Sequence, residues 1–397
     1  MINNKILDYL QRLWYELNTG HIIIGYRFFF RRWQVSNEPK LDKKEALIYV
    51  ANHQNAFLDA ISIIMAQRRH PIFLTRANIF ATGFARFLLR SYNMFPVYRK
   101  RDGVDSHEKN EKVFNDCNEI LIKGRQPIAL FVEGNHRMAR SLRQLKKGAA
   151  RIAFSTLEQL NFEKTVKIIP IGVNYSRHSR FRGDLFMNWG EPIIVNDYKD
   201  LYNKNPNIAY SEITSRIYKE LDALILNIQD SENYEEIEKA WIAERVKMSN
   251  MYDELQNDKA IIAKLTEEKK NGLSLDIKPK SKKRSVFKMI LGFPAFIYGT
   301  LNHLPLIFLM QRVLTKYVTD IHFYGSVKMA GSSYMALILY LLQAFGVYAL
   351  TDGNFIVSIV YFITLPFFGT FAYDHYMKYY SSEPDITSSA ELLKGYK

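Results

Sequence analysis

Ala46-Leu47-Ile48-Tyr49-Val50-Ala51-Asn52-His53-Gln54-Asn55-Ala56-Phe57-Leu58-Asp59-Ala60 changes character twice. The run from Ala46 to Ala51 is apolar throughout and has the length of a buried strand. Asn52 to Asn55 break the run with polar side chains, and Phe57, Leu58, Ala60, Ile61, Ile63, Ile64 and Met65 then open a buried helix. His53 falls where the strand ends and Asp59 near the first turn of the helix. Strand C-termini in open α/β sheets are where ligands bind. A histidine beside a carboxylate is the simplest general base, because the carboxylate fixes the tautomer and stabilises the imidazolium that forms. On this stretch alone the pair reads equally as a loop histidine and a helix N-terminal charge.

Working outward, short apolar runs alternate with helical stretches from Ala46 to Glu191. Strands are expected at Leu47–Asn52, Ile72–Thr75, Phe95–Tyr98, Ile128–Phe131 and Val166–Val173, with a last one near Leu185–Trp189. Helices fill most gaps, including Ser106–Lys123 and Leu145–Leu160. The alternation predicts an α/β fold, a mostly parallel sheet with flanking helices. Three further strand ends carry polar chemistry: Phe95 to Asp102, Phe131 to Arg137 and Ile168 to Asn174. Arg99 is placed either for a phosphate, which a guanidinium pairs bidentately, or as a solvated charge. In Glu133-Gly134 the glycine lets the backbone turn or approach a ligand. Glu133 orients Arg137 or Arg99, binds a substrate hydroxyl, or is a helix N-terminal carboxylate. Lys146-Lys147-Gly148 either adds positive field at a helix start or is solvated.

The chain has 397 residues and a net charge of +14, with 48% hydrophobic and 14% aromatic residues. A basic balance suits nucleic acid, an anionic membrane or a phosphorylated substrate. The basic residues cluster beside apolar spans rather than on a nucleic-acid motif, so membrane is expected and nucleic acid is not. Cys117 is the one cysteine, so no intrachain disulfide can form, and it reads as structural. No metal-ligand cluster and no nucleophile elbow stand out, so neither a metal nor a covalent intermediate is expected.

Residues 1–40 are expected to hold an amphipathic helix with Ile2, Ile6, Leu10, Leu13 and Leu17 at helical spacing, without a cleavable signal peptide. The aromatic and arginine-rich run His21 to Trp33 is too short and too charged to span, and suits the membrane interface or a helix capping the domain. Residues 41–195 would form the catalytic domain. Residues 196–277 are polar and helical, a lid, an interaction arm or a linker, with Ile213, Ile217, Leu221, Leu224 and Ile228 on one stripe. Residues 278–380 would be membrane-associated. A basic cluster from Lys278 to Arg284 precedes an uncharged segment near 289–311 that contains Pro294, Asn302, His303 and Pro305, with basic residues on both flanks. That pattern predicts a bent, re-entrant or interfacial segment with both ends on the cytoplasmic side. Segments near 329–350 and 355–373 would form a transmembrane hairpin, and 381–397 a tail.

Four blocks in this order resemble the glycerophospholipid acyltransferase superfamily. His53 and Asp59 match its first block, Arg99 its second, Glu133, Gly134 and Arg137 its third, and Pro170 its fourth. The chain departs from the commonest pattern in four places. The His–Asp spacing is one residue longer, Ser91-Tyr92-Asn93 stands where the second block carries glycine, Val132 replaces a proline, and one extra residue precedes Arg137. In this it is similar to the subgroup of fungal glycerol-3-phosphate and dihydroxyacetone-phosphate acyltransferases. The resemblance implies direct acyl transfer, with His53 and Asp59 catalytic and Arg99, Glu133, Gly134 and Arg137 binding substrate. The donor would be acyl-CoA or an acyl carrier protein thioester, with no other cofactor. The acceptor would be lysophosphatidic acid, giving phosphatidic acid, or alternatively glycerol-3-phosphate or dihydroxyacetone phosphate. The rival expectation is a membrane-binding member of the fold without catalysis. In either case the apolar spans and their basic flanks lead us to expect membrane lipids as partners and a membrane location, with the catalytic domain on the cytoplasmic face.

Overall fold

A computed structural model describes residues 2–42, 45–67, 69–80, 82–98, 106–124, 126–275, 277, 284–383 and 385–390. The chain runs α1 (Ile2–Phe29), β1 (Phe30–Ser36), β2 (Ala46–Ala51), α2 (Ala56–Ala66), β3 (Ile72–Arg76), α3 (Gly83–Ser91), β4 (Met94–Val97), α4 (Ser106–Lys123), β5 (Ile128–Phe131) and α5 (Gly148–Gln159). It continues with β6 (Val166–Tyr175), β7 (Gly183–Trp189), β8 (Ile193–Ile194), α6 (Lys199–Lys204), α7 (Pro206–Leu224), α8 (Tyr234–Glu244) and α9 (Met251–Lys270). Three long apolar helices close it: α10 (Val286–Tyr317), α11 (Tyr324–Leu350) and α12 (Phe355–Tyr379). One sheet holds the strands in the order β1-β7-β6-β2-β5-β3-β4, with β8 paired to β6. It is mostly parallel; only the pairings of β6 with β7 and β8 are antiparallel.

Strand β2 is central and buried along its whole length, which is why it reads as a continuous apolar run rather than an alternating one. Its side chains still alternate between faces. Ala46, Ile48 and Val50 join α4, α5 and α7 in one core, while Leu47, Tyr49 and Ala51 join α1 and α2 in the other. Met329 of α11 completes that second core. A smaller third core forms between α8 and α9 around Trp241 and Leu265, and Ile386 from beyond α12 packs into it.

The expected run of aromatic and arginine residues up to Trp33 is divided differently. Helix α1 ends at Phe29, and Phe30–Ser36 is an edge strand parallel to β7. Its charges hid it: Arg32 is held at 2.7 Å from Asp184 and 3.0 Å from Glu254, partners that sequence proximity does not reveal. The segment near 289–311 lies within one continuous 32-residue helix despite Pro294 and Pro305. The start of α10 lies beside the segment that follows α12, and the turn after α10 lies beside the loop after β5. Arg284 donates to the Ser381 carbonyl at 3.1 Å, and the turn after the helix reaches His136. The basic cluster otherwise falls outside the described residues.

Helix α11 leaves the body and α12 returns to it. Ser326 and Met329 are buried near the start of α11, Ser358 of α12 bonds the Ala344 carbonyl at 2.6 Å, and Asp374 pairs with Arg182 at 2.7 Å. Glycines let the helices approach closely: a Cβ on Gly299 would run into the Phe368 carbonyl, and one on Gly369 into the His303 ring. Each helix is long and apolar enough to cross a membrane, and their outward faces carry exposed Leu291, Leu342 and Ile356. An apolar surface of this extent marks a membrane-facing region. On α1, Leu10, Leu13, Trp14, Leu17 and Ile24 are likewise exposed, while Tyr15, Ile22, Tyr26 and Phe29 are buried.

The segment after α12 is tied down by one buried carboxylate. Glu238 accepts from Arg140 at 2.6 Å, from the Ser388 and Ser389 hydroxyls at 2.8 and 2.5 Å, and from the Ser389 backbone at 3.1 Å. Burial alone would raise the Glu238 pKa, but the Arg140 charge and the seryl donors outweigh it and bring the value from 4.5 to about 2. A depressed pKa stabilises the folded state fully above the ordinary value and loses that contribution as pH falls through the folded one. Protease resistance of the 385–390 segment is therefore expected to fall between about pH 4.5 and pH 2. In Glu238→Gln it is expected to be low at neutral pH already, with that acid transition removed, as limited proteolysis across the range would report.

Candidate active site

The turn joining β2 to α2 is built around a single carboxylate oxygen. Asp59 is fully buried, and its Oδ2 accepts from three donors: His53 Nδ1 at 2.8 Å and the backbone N–H groups of Gln54 and Asn55 at 2.9 and 2.8 Å. To make this wrap, Ala56 sits at φ 42°, a left-handed conformation that non-glycine residues rarely adopt. Strain of this kind clusters at functional sites. Asn52 fixes the strand end by exchanging two hydrogen bonds with the Val173 backbone, at 3.0 and 2.8 Å. Asn55 donates to the His178 carbonyl, and Gln54 meets His178 Nε2 at 3.0 Å. Burial, aided by the Arg140 charge, lowers the His178 pKa to about 3 and keeps the ring neutral.

The ring of His53 lies flat on Phe131, with centroids 4.0 Å apart and planes within 9°. With Nδ1 donating to the carboxylate, Nε2 keeps the lone pair that a general base uses. Beneath the ring, the His53 backbone N–H donates to Glu133 Oε1 at 2.9 Å. The other Glu133 oxygen takes Arg143 Nε at 2.6 Å. Burial raises the Glu133 pKa against the opposing pull of the Arg143 charge. Glu133 therefore orients Arg143 and the His53 backbone, neither of which the sequence reading gave it as a partner. Gly134 follows at φ +78°, where a side chain would be strained. The Arg137 backbone N–H donates to the His53 carbonyl at 3.0 Å, and its side chain is exposed. Arg99 lies outside the described residues. Pro170 is internal to β6, opposite Val50 of β2.

Two contributors come from far along the chain. Ser326, in the first turn of α11, accepts from the Leu58 backbone N–H at 2.9 Å. Gly325 beside it packs so closely that a Cβ would lie 2.7 Å from the His178 carbonyl and 2.8 Å from Asn55. His136 packs edge-on to His53 at 5.4 Å and within 3.4 Å of Asp320. Burial first, then the neighbouring histidines, lowers the His136 pKa to about 4, so the ring is neutral at physiological pH. Sequence reading had no signal for Arg143, Ser326 or Asp320, because each acts through a fold-dependent contact.

Residues 32–174 match the family model described as acyltransferase. Over 125 residues, 31% of this chain and 18% of the relative, the chain is 33% identical to an uncharacterised acyltransferase of Schizosaccharomyces pombe. Over 134 residues, 34% of this chain and 17% of the relative, it is 26% identical to glycerol-3-phosphate O-acyltransferase 2 of Saccharomyces cerevisiae. The matched part spans less than a fifth of either relative's length. Among solved structures, the crystal structure of the 1-acyl-sn-glycerophosphate acyltransferase PlsC from Thermotoga maritima matches at 18% identity and a TM-score of 0.35, covering 54% of this chain and 83% of that one.

Removing Arg143 should leave Glu133 buried without its cation. Arg143→Ala is expected to lower stability by about 1–3 kcal/mol, whereas Arg137→Ala, which removes only an exposed side chain, should stay within about 0.5 kcal/mol of the parent. Thermal unfolding in detergent, comparing the two variants side by side, checks the difference.

Proposed function

We propose that this chain, whose residues 32–174 match the acyltransferase family model, is a member of the glycerophospholipid acyltransferase superfamily and moves an acyl group from a CoA or carrier-protein thioester to a glycerol phosphate acceptor. Lysophosphatidic acid is the first acceptor of choice and phosphatidic acid the product. The observation that carries the reading is the contact between His53 Nδ1 and Asp59 Oδ2, with the ring stacked on Phe131. His53 Nε2 takes the proton of the acceptor hydroxyl while that oxygen attacks the thioester carbonyl. Asp59 holds the imidazole and stabilises the imidazolium. Collapse of the tetrahedral intermediate breaks the C–S bond. The thiolate leaves with the proton held by His53, so one C–O bond forms as one C–S bond breaks. Holding both substrates in line supplies much of the barrier lowering.

Arg137, exposed beside the site, and Arg99 are assigned to the acceptor phosphate, which a guanidinium pairs bidentately. Gly134 allows the acceptor to approach the backbone, and Glu133 holds the loop that carries Gly134 and Arg137. The apolar helices and the outward stripe of α1 support a membrane location with lipid partners. We assign the catalytic domain to the cytoplasmic face, since Arg312 and Lys316 near one end of α10 and Arg284 near the other are basic. A glycerol-3-phosphate acceptor is the second reading, favoured by the likeness to the yeast glycerol-3-phosphate O-acyltransferase.

Purified protein in nanodiscs, given labelled acyl-CoA or acyl carrier protein thioester, is expected to acylate one of lysophosphatidic acid, glycerol-3-phosphate and dihydroxyacetone phosphate. His53→Ala should lower that rate by roughly 10²–10⁴-fold while the protein stays folded. Wild-type turnover in a folded His53→Ala protein would sink the general-base assignment. In Arg137→Ala the KM for the acceptor should rise with little change in the KM for the donor, and an unchanged acceptor KM would remove Arg137 from the phosphate site.

A further inference from the structure

The loop after β5 and the turn between α10 and α11 bring three metal-ligating side chains to one point. His136, Asp320 and His322 offer ring nitrogens and a carboxylate oxygen that all lie within 4.8 Å of one another. We propose that they form a binding site for one divalent transition-metal ion of the zinc type, held by a nitrogen from each histidine and an oxygen of Asp320.

The spacing supports an ion more than a hydrogen-bond relay. His136 Nε2 lies 3.4 Å from Asp320 Oδ2, long for an N–H to oxygen hydrogen bond. It matches the roughly 3.3 Å between neighbouring ligands of a tetrahedral ion whose bonds are about 2.0–2.1 Å. The other histidine leaves a polar atom unanswered: His322 Nδ1 meets Asp320 Oδ1 at 2.6 Å, while its Nε2 is buried with no hydrogen-bond partner. Other buried side-chain atoms also lack a partner, but this one belongs to the cluster of three ligating side chains, where an ion is a specific explanation for it. The rings are already set in place. Phe323 packs edge-on against His136 at 5.4 Å, and Asp320 also accepts the His322 backbone N–H at 3.0 Å.

Two nitrogens and one oxygen, with no sulfur, suit Zn²⁺ and its neighbours Co²⁺ and Ni²⁺. Magnesium and calcium take oxygen ligands instead. The Asp320 side chain is 46% exposed, which gives an entry path and leaves the fourth position to water. The bound ion would clasp the loop carrying Glu133 and Arg137 to the start of α11. This site is independent of the acyl-transfer reading, since no substrate takes part in it.

The test uses untagged full-length protein in detergent, stripped with a chelator and dialysed, then titrated with Zn²⁺ or Co²⁺. The wild type is expected to retain one ion per chain and to give the visible bands of four-coordinate Co²⁺ with nitrogen and oxygen ligands. His322→Ala and Asp320→Asn should weaken binding at least tenfold. In the wild type, Zn²⁺ should also shield His136 and His322, but not the exposed-side His70, from diethyl pyrocarbonate, as peptide mass spectrometry reads. That arm stands even where a variant fails to fold. Absence of a stoichiometric ion in the wild type, equal binding by folded variants, or labelling of His136 and His322 unchanged by Zn²⁺ would each overturn the site. Metal counts and labelling need no acyl transfer, so their failure and a failure of the acyltransferase reading are told apart.

Discussion

The structure depends on how one buried carboxylate is satisfied. Asp59 has no exposed surface, and an unpaired charge there would cost several kcal/mol. Its Oδ2 gathers the His53 ring and two consecutive backbone N–H groups, so the chain must curl over the first turn of α2. That curl places Ala56 at positive φ and turns the His53 ring onto Phe131. The strand end before it and the helix start after it are then pinned from two sides, by Asn52 on β6 and by Ser326 from α11. What looks like a catalytic pair is also the joint between the sheet and the membrane-facing helices.

Burial on both faces of the sheet accounts for the rest of the architecture. One face takes α4, α5 and α7, whose polar outer surfaces need nothing further. The other takes α1 and α2 and the start of α11, and of these α1 presents apolar side chains outward as well as inward. His21 bonds Ser333 at 2.9 Å and Tyr334 bonds Asn18 at 2.7 Å, so α1 and α11 are joined to each other as well as to the sheet.

The central fold was legible because its signals are local. Ala46 to Ala51, Ile128–Phe131 and Val166–Tyr175 are apolar runs bounded by polar turns, and such runs require no knowledge of partners. The His53 and Asp59 pair was legible for the same reason, being six positions apart. Strand β1 was not, because Arg31 and Arg32 read as surface charges until Asp184 and Glu254 stand beside them. The partner of Glu133 was misread because the loop turns so that the Arg137 backbone, not its side chain, faces His53, leaving Arg143 to reach the carboxylate. Prolines 294 and 305 and the basic flanks suggested a bent, re-entrant or interfacial segment, and the segment lies within one helix, α10, packed against α11 and α12. The meeting of His136 with Asp320 crosses 184 positions and has no counterpart in any local pattern.

The hydrogen bond from Leu58 to Ser326 has a consequence for the order in which the protein is made. A chain emerges from the ribosome N-terminal end first, and domains generally fold as they emerge. Residues 30–194, which hold every strand of the sheet, are complete long before Tyr324 is synthesised, so the sheet can close while the turn over α2 still lacks its cap. The Leu58 N–H then meets Ser326 only once the start of α11 is in place, so the last contact of this turn waits for the C-terminal helices.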